Sequence, residues 1–131
     1  MRGERYLKKP QQYALVYRKG KSWPSSYAVM KALPNGLALS RYGLSVSKRV
    51  GKAVTRNRVK RLLREILREM QINPGWDIVF VVQPAAADVD YHTLKGVVGN
   101  LLLRSHLLMS GNREKVTREE AEVLSGGKST T

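Results

Sequence analysis

GLSVSKRVGKAVTRNRVKRLLREILREM, residues 43–70, decides the fold. It opens with alternation: Leu44 and Val46 stand between Ser45 and Ser47, the period-2 pattern of a half-buried strand over 44–48. The period then changes. Over 52–70, Val59, Leu62, Leu63, Ile66, Leu67 and Met70 recur at helical spacing and form one apolar stripe. The segment is therefore a strand feeding a long amphipathic helix.

Downstream, Asn73-Pro74-Gly75 ends the helix and DIVFVV (77–82) follows as a short strand, whose consecutive apolar residues predict burial on both faces. Pro84 closes that strand. A last helix spans about 91–108, with Asp90 as N-cap and Leu94, Val97, Val98, Leu101, Leu102 and Leu108 facing inward; His92 and His106 are ordinary residues of it. Upstream, 27–33 (YAVMKAL) reads as a strand, and Pro34-Asn35-Gly36 as a turn whose Asn-Gly pair favours a hairpin. Pro10 opens a first helix on which Tyr13, Val16 and Tyr17 share a face, and Gly20 stops it. The order α-β-β-α-β-α predicts an α/β or α+β sandwich, a small sheet packed by helices. The length of 131 residues fits one domain, expected over 1–109, with a polar, mobile tail over 110–131.

Charge narrows the partner. Lys and Arg number 24 against 10 Asp and Glu, a net charge of +14. That excess favours an anionic partner, nucleic acid first and an anionic membrane surface second. Nine of the cations fall within 48–68: Lys48, Arg49, Lys52, Arg56, Arg58, Lys60, Arg61, Arg64 and Arg68, with Glu65 the one acid. At roughly 100° per residue, Arg56, Asn57, Lys60, Arg61, Arg64 and Arg68 share the side opposite the apolar stripe. Such a helix lies on a membrane or binds nucleic acid. Its apolar face lacks the Trp and Phe of interfacial anchors. Arg outnumbers Lys, and guanidinium offers phosphate a bidentate fork. Solubility alone does not account for a cluster whose i, i+4 neighbours repel. The tyrosines Tyr13, Tyr17 and Tyr27 suit base stacking beside a basic groove, as in single-stranded RNA binding, although each alone suits a core equally well. No stretch approaches the roughly 20 apolar residues of a membrane span, no secretory signal opens the chain, and there is no Cys. A soluble cytoplasmic protein is expected.

The chain offers no convincing active site of its own. Neither histidine has ligand spacing around it. Asp88 and Asp90 lack the further carboxylates of a two-metal nuclease site. Ser45 and Ser47 have no evident base. Gly126-Gly127-Lys128-Ser129 resembles only the end of a phosphate loop. No catalytic residue and no protein-bound metal are expected.

The run from Gly43-Leu44-Ser45-Val46-Ser47-Lys48 through Ala53-Val54 to Arg56-Asn57-Arg58-Val59-Lys60-Arg61-Leu62-Leu63-Arg64 resembles the signature of the bacterial ribonuclease P protein family, with weaker similarity from about Leu7 to Leu108. The resemblance implies a left-handed β-α-β crossover and a fold similar to the second domain of ribosomal protein S5. It implies a catalytic RNA as partner, which cuts the 5′ leader from precursor tRNA with Mg²⁺, and no required protein partner. It places Lys48, Arg49, Lys52, Arg56, Asn57, Arg58, Lys60, Arg61, Arg64 and Arg68 against RNA. It places Tyr13, Tyr17, Tyr27, Met30, Ser45 and Ser47 along a cleft for the leader. Met30 replaces an aromatic of some relatives, Gln83 a commonly basic residue, and Tyr6 stands where an Arg often precedes Leu7. Without the signature, a ribosome-associated RNA binder or a DNA-binding regulator shares the charge; the latter usually needs dimer symmetry, and no dimerisation segment is evident.

Overall fold

The computed structural model describes residues 5–109. The expected tail over 110–131, with its Gly-Gly-Lys-Ser, lies outside them. The elements are α1 (Pro10–Lys19), β1 (Lys21–Trp23), β2 (Ala28–Pro34), β3 (Arg41–Ser45), α2 (Ala53–Glu69), β4 (Trp76–Val82) and α3 (Tyr91–Arg104), with 3-10 turns at Lys48–Val50 and Pro84–Asp88. The sheet runs β1-β2-β4-β3. It is an α+β sandwich, as the element order predicts, with one strand more. β1 has only three residues between Gly20 and Pro24, too few for any periodicity to register.

β4 is the centre. It pairs antiparallel with β2 (Met30 opposite Phe80) and parallel with β3 (Gly43 opposite Val79). The two parallel neighbours are joined through α2, so β3-α2-β4 is a crossover. Both faces of β4 are covered. Ile78, Phe80 and Val82 join Met30, Leu63, Ile66, Leu67, Leu94, Val98, Leu101 and Leu102 in the larger core, under α2 and α3. Val79 faces the other way, with Val16 of α1 and Leu7. Val81 is on that second face too but only half-buried.

Three expectations need correction. The second strand is 41–45 rather than 44–48, because its register with β4 starts at Arg41–Asp77, and Lys48 has already left the sheet for the 3-10 turn. Pro34-Asn35-Gly36 is a turn, with Gly36 at φ +72° and Asn35 Oδ1 accepting the Leu37 N–H at 2.7 Å, but no hairpin, since β4 lies between β2 and β3. The last helix stops at Arg104. His106 then sits at φ +63°, and buried Leu108 bridges to Ile72 instead of continuing the helix. Asp90 does cap α3, accepting the Thr93 N–H at 2.8 Å, a bond that holds its carboxyl below the usual carboxylate range.

Polar clamps close one end of the sheet, where β3 and β4 begin. Buried Asp77 accepts from Arg41 Nε at 2.9 Å, Arg41 Nη2 at 2.8 Å and Asn35 Nδ2 at 2.9 Å. Ser40 Oγ donates to the Asn73 carbonyl at 2.7 Å and accepts the Trp76 N–H at 3.0 Å. Along the outer side of β3, Tyr6 bridges Tyr42, and the Leu7 N–H donates to the Tyr42 carbonyl at 2.7 Å.

The two faces of the sheet should respond unequally to truncation. Leu63, fully buried, should cost about 2–5 kcal/mol as Leu63→Ala through lost burial and a cavity. Half-buried Val81 should cost about 1 kcal/mol as Val81→Ala. Urea unfolding of both variants measures the difference; equal losses would contradict this division of the core.

Candidate nucleic-acid interface

The basic patch begins where β3 ends. Ser47 Oγ accepts the Arg49 N–H at 3.3 Å and caps the 3-10 turn, which explains Ser47 without any ligand. Gly51 then takes φ +153°, and a Cβ there would lie 3.0 Å from the Thr55 side chain. Glycine is thus what allows the chain to turn from Lys48–Val50 directly into α2. No side chain caps the first amides of α2, and Val54 in that turn is 81% exposed. The positive helix end therefore lies beside Lys48, Arg49 and Lys52, all exposed.

Val59, Leu63, Ile66 and Leu67 anchor α2 to the core. Asn57, Arg61, Arg64 and Arg68 are exposed, and Lys60 is half-buried. None of the nine cations of 48–68 forms a salt bridge among the described residues, where the ion pairs are Arg41–Asp77 and Lys95–Glu69. Two of the nine are nevertheless tied to backbone. Arg56 Nε donates to the Gly51 carbonyl at 3.1 Å. Arg58 donates through Nη1 to the Ala87 carbonyl at 3.3 Å and through Nη2 to the Val89 carbonyl. Arg58 therefore holds the 84–89 segment to α2, a role no helical projection reveals because its acceptors lie about thirty residues away in sequence.

A second surface lies on the α1 face of the sheet. There Lys31, Val79 and Gly43 form one cross-strand row, and Val29, Val81 and Ser45 the next. α1 buries Val79 but leaves Val29, Val81 and Ser45 half-exposed. Tyr13 reaches over β3: a Cβ on Gly43 would stand 2.6 Å from its Cε2. Burial pushes the Tyr13 phenol up, partly offset by the Leu44 backbone. Tyr17, one helical turn on, is 42% exposed. Gly43 is the residue sequence reasoning passed over; a glycine inside a strand signals close approach of another group.

Met30 does not belong to this surface. It is fully buried in the larger core, and by strand parity Lys31 takes the α1 face, its Nζ donating to Ser22 Oγ at 2.7 Å. Tyr27, just before β2, packs against the larger core and lines a shallow cleft with Val97, Asn100 and Arg104. Arg104 Nη1 closes one side by donating to the Pro24 carbonyl at 3.0 Å. Among the described residues no three His, Cys, Asp or Glu side chains gather as metal ligands, and no helix is long and apolar enough to cross a membrane.

Comparison with known proteins agrees with the signature. The family model described as Ribonuclease P matches residues 1–106. The ribonuclease P protein component of Caldanaerobacter subterraneus subsp. tengcongensis is 47% identical over 103 residues, covering 77% of this chain and 89% of that protein. That of Dehalococcoides mccartyi is 41% identical over 120 residues, covering 92% and 100%. The solved RNase P protein of Thermotoga maritima superposes with TM-score 0.70 at 34% identity over 76% of this chain and 96% of that one. The Staphylococcus aureus RNase P protein gives 0.73 at 27% identity over 80% and 98%. With the signature in place, the family model matched over residues 1–106 and curated relatives above 40% identical over most of their length, this chain belongs to the ribonuclease P protein family.

Proposed function

We propose that this chain binds the catalytic RNA of ribonuclease P through its basic patch and the 5′ leader of precursor tRNA across its α1 face, and so assists Mg²⁺-dependent removal of the leader in the cytoplasm. Membership of the family makes the chain a subunit of the ribonuclease P holoenzyme, an enzyme of tRNA 5′ maturation. The observation that carries the reading is the set of nine cations, none paired with a carboxylate among the described residues, on one turn and one helix. Phosphates would supply the missing counter-charge, and displaced counterions would make binding salt-dependent. The amides at the start of α2, which no side chain caps, add an anion-binding element. Tyr17 offers a ring face that any base can use, which suits leaders of varied sequence.

In this reading the protein holds and orients RNA, the RNA carries out cleavage and holds the Mg²⁺, and no second protein is needed. Precursor tRNA cleavage by the catalytic RNA, with and without this protein at low Mg²⁺, tests it. The protein alone should cut nothing, and its addition should raise the rate; an unchanged rate would overturn the proposal.

The two kinds of arginine should separate. Arg64→Ala should leave the melting temperature unchanged, weaken binding to the catalytic RNA and reduce the magnitude of the log-affinity versus log-salt slope by about 1. Arg58→Ala should cost about 1–3 kcal/mol of stability, because two backbone carbonyls lose a charged donor. Titrations at several salt concentrations beside thermal melts report both.

Tyr17→Ala should weaken holoenzyme binding of precursor tRNA by roughly 1–3 kcal/mol and leave mature tRNA nearly unaffected. Tyr17→Phe should be mild, since the ring remains. Equal losses for both tRNAs would remove Tyr17 from the leader path.

A further inference from the structure

A groove beside the start of α1 is unused in the reading above. Tyr6, Lys8, Lys9, Leu37, Leu39 and Arg41 line it. Leu37 is 47% and Leu39 38% exposed, and no acidic side chain is among the described lining residues. Neither Lys8 nor Lys9 forms a salt bridge among the described residues. The leucines are displayed by a braced loop. Asn35 accepts the Leu37 N–H at 2.7 Å and donates to the Leu39 carbonyl at 3.2 Å and to Asp77 at 2.9 Å, and Asp77 is clamped in turn by Arg41. Apolar side chains held out beside ammonium groups that meet no carboxylate among the described residues match a ligand with one apolar face and one anionic edge, which is the chemistry of a nucleotide.

The groove's position says which nucleotide. Arg41, Gly43 and Ser45 share the α1 face of β3. Arg41 lines the groove, Tyr13 lies on Gly43, and Ser45 leads into the exposed Lys48 and Arg49. The groove and the basic patch therefore stand at opposite ends of one strand, roughly 13 Å apart at 3.3 Å per residue. A strand of RNA leaving the patch along β3 passes Tyr13 and arrives at the groove.

We propose that this groove is a distal subsite for a leader nucleotide, farther from the cut than the nucleotides near Tyr17. The base lies against Leu37 and Leu39, and Lys8 and Lys9 hold its flanking phosphates. The proposal rests on the leader reading above, with the basic patch against the catalytic RNA.

The test uses holoenzyme reconstituted with the Leu37→Ser, Leu39→Ser, Lys8→Ala triple variant. Affinities are measured for precursor tRNAs whose leaders are shortened one nucleotide at a time, and for mature tRNA. The variant should bind long-leader substrate about tenfold more weakly. It should match the unmodified protein once the leader is too short to reach the groove, and on mature tRNA. Equal affinities at every length overturn the subsite, and so does an equal loss on mature tRNA, which would turn the groove toward other RNA. Lys8→Glu, at an exposed position away from the core, repeats the test should the triple variant fold poorly. Tyr17→Ala run in parallel separates the two ideas: if it alone is leader-selective, only the distal subsite falls. If neither variant distinguishes precursor from mature tRNA, the leader reading falls with it.

Discussion

β4 leaves the rest of the molecule little freedom. It is hydrogen-bonded along both edges, to β2 and to β3, and apolar side chains leave it in both directions. Fully burying such a side chain contributes about 1.5–3 kcal/mol each, so both faces demand cover. Ile78 and Phe80 take the α2 and α3 layer, and Val79 takes α1. The parallel register then sets Ser45 opposite Val81, and with it the point at which the chain leaves the sheet. The basic turn at Lys48–Val50 and then α2 follow within a few residues of that point.

The same constraint gives the two surfaces different chemistry. α2 is anchored through Val59, Leu63, Ile66 and Leu67, so its outer side can carry charge without contributing to the core. The α1 face is covered by a single ten-residue helix, too small to shield the whole sheet, and a half-exposed row of Val29, Val81 and Ser45 is left beside Tyr13 and Tyr17. One surface thus suits phosphates and the other bases, and the end of β3 joins them.

Much of this was legible in the sequence because it depends on local periodicity. The α2 stripe, the central strand over 77–82, the Asp90 cap and the element order apart from β1 follow from the local pattern, and the signature in 43–64 supplied a family that charge could not. What was not legible depends on contacts between distant segments. Met30 and Lys31 are adjacent, and only pairing with β4 decides which enters the core. Arg58 resembles its basic neighbours until the carbonyls of Ala87 and Val89 come within reach. The Asn-Gly turn carries hairpin chemistry, yet the strand that separates its two arms comes forty residues later. Gly43 matters through a ring thirty residues earlier.

The treatment of the sheet's edges bears on how the protein behaves in a crowded solution. Unpaired strand edges are templates for other chains, and a hazard for a protein that must stay dispersed until it meets its RNA. On the β3 side that template is occupied by the protein's own Tyr6 and Leu7. On the opposite side it is three residues long, carries Lys21 and is bounded by Gly20 and Pro24. Neither border offers a run long enough for lateral growth. A sheet so closed can expose an apolar row on its face for ligand without inviting a second copy of itself along its edge.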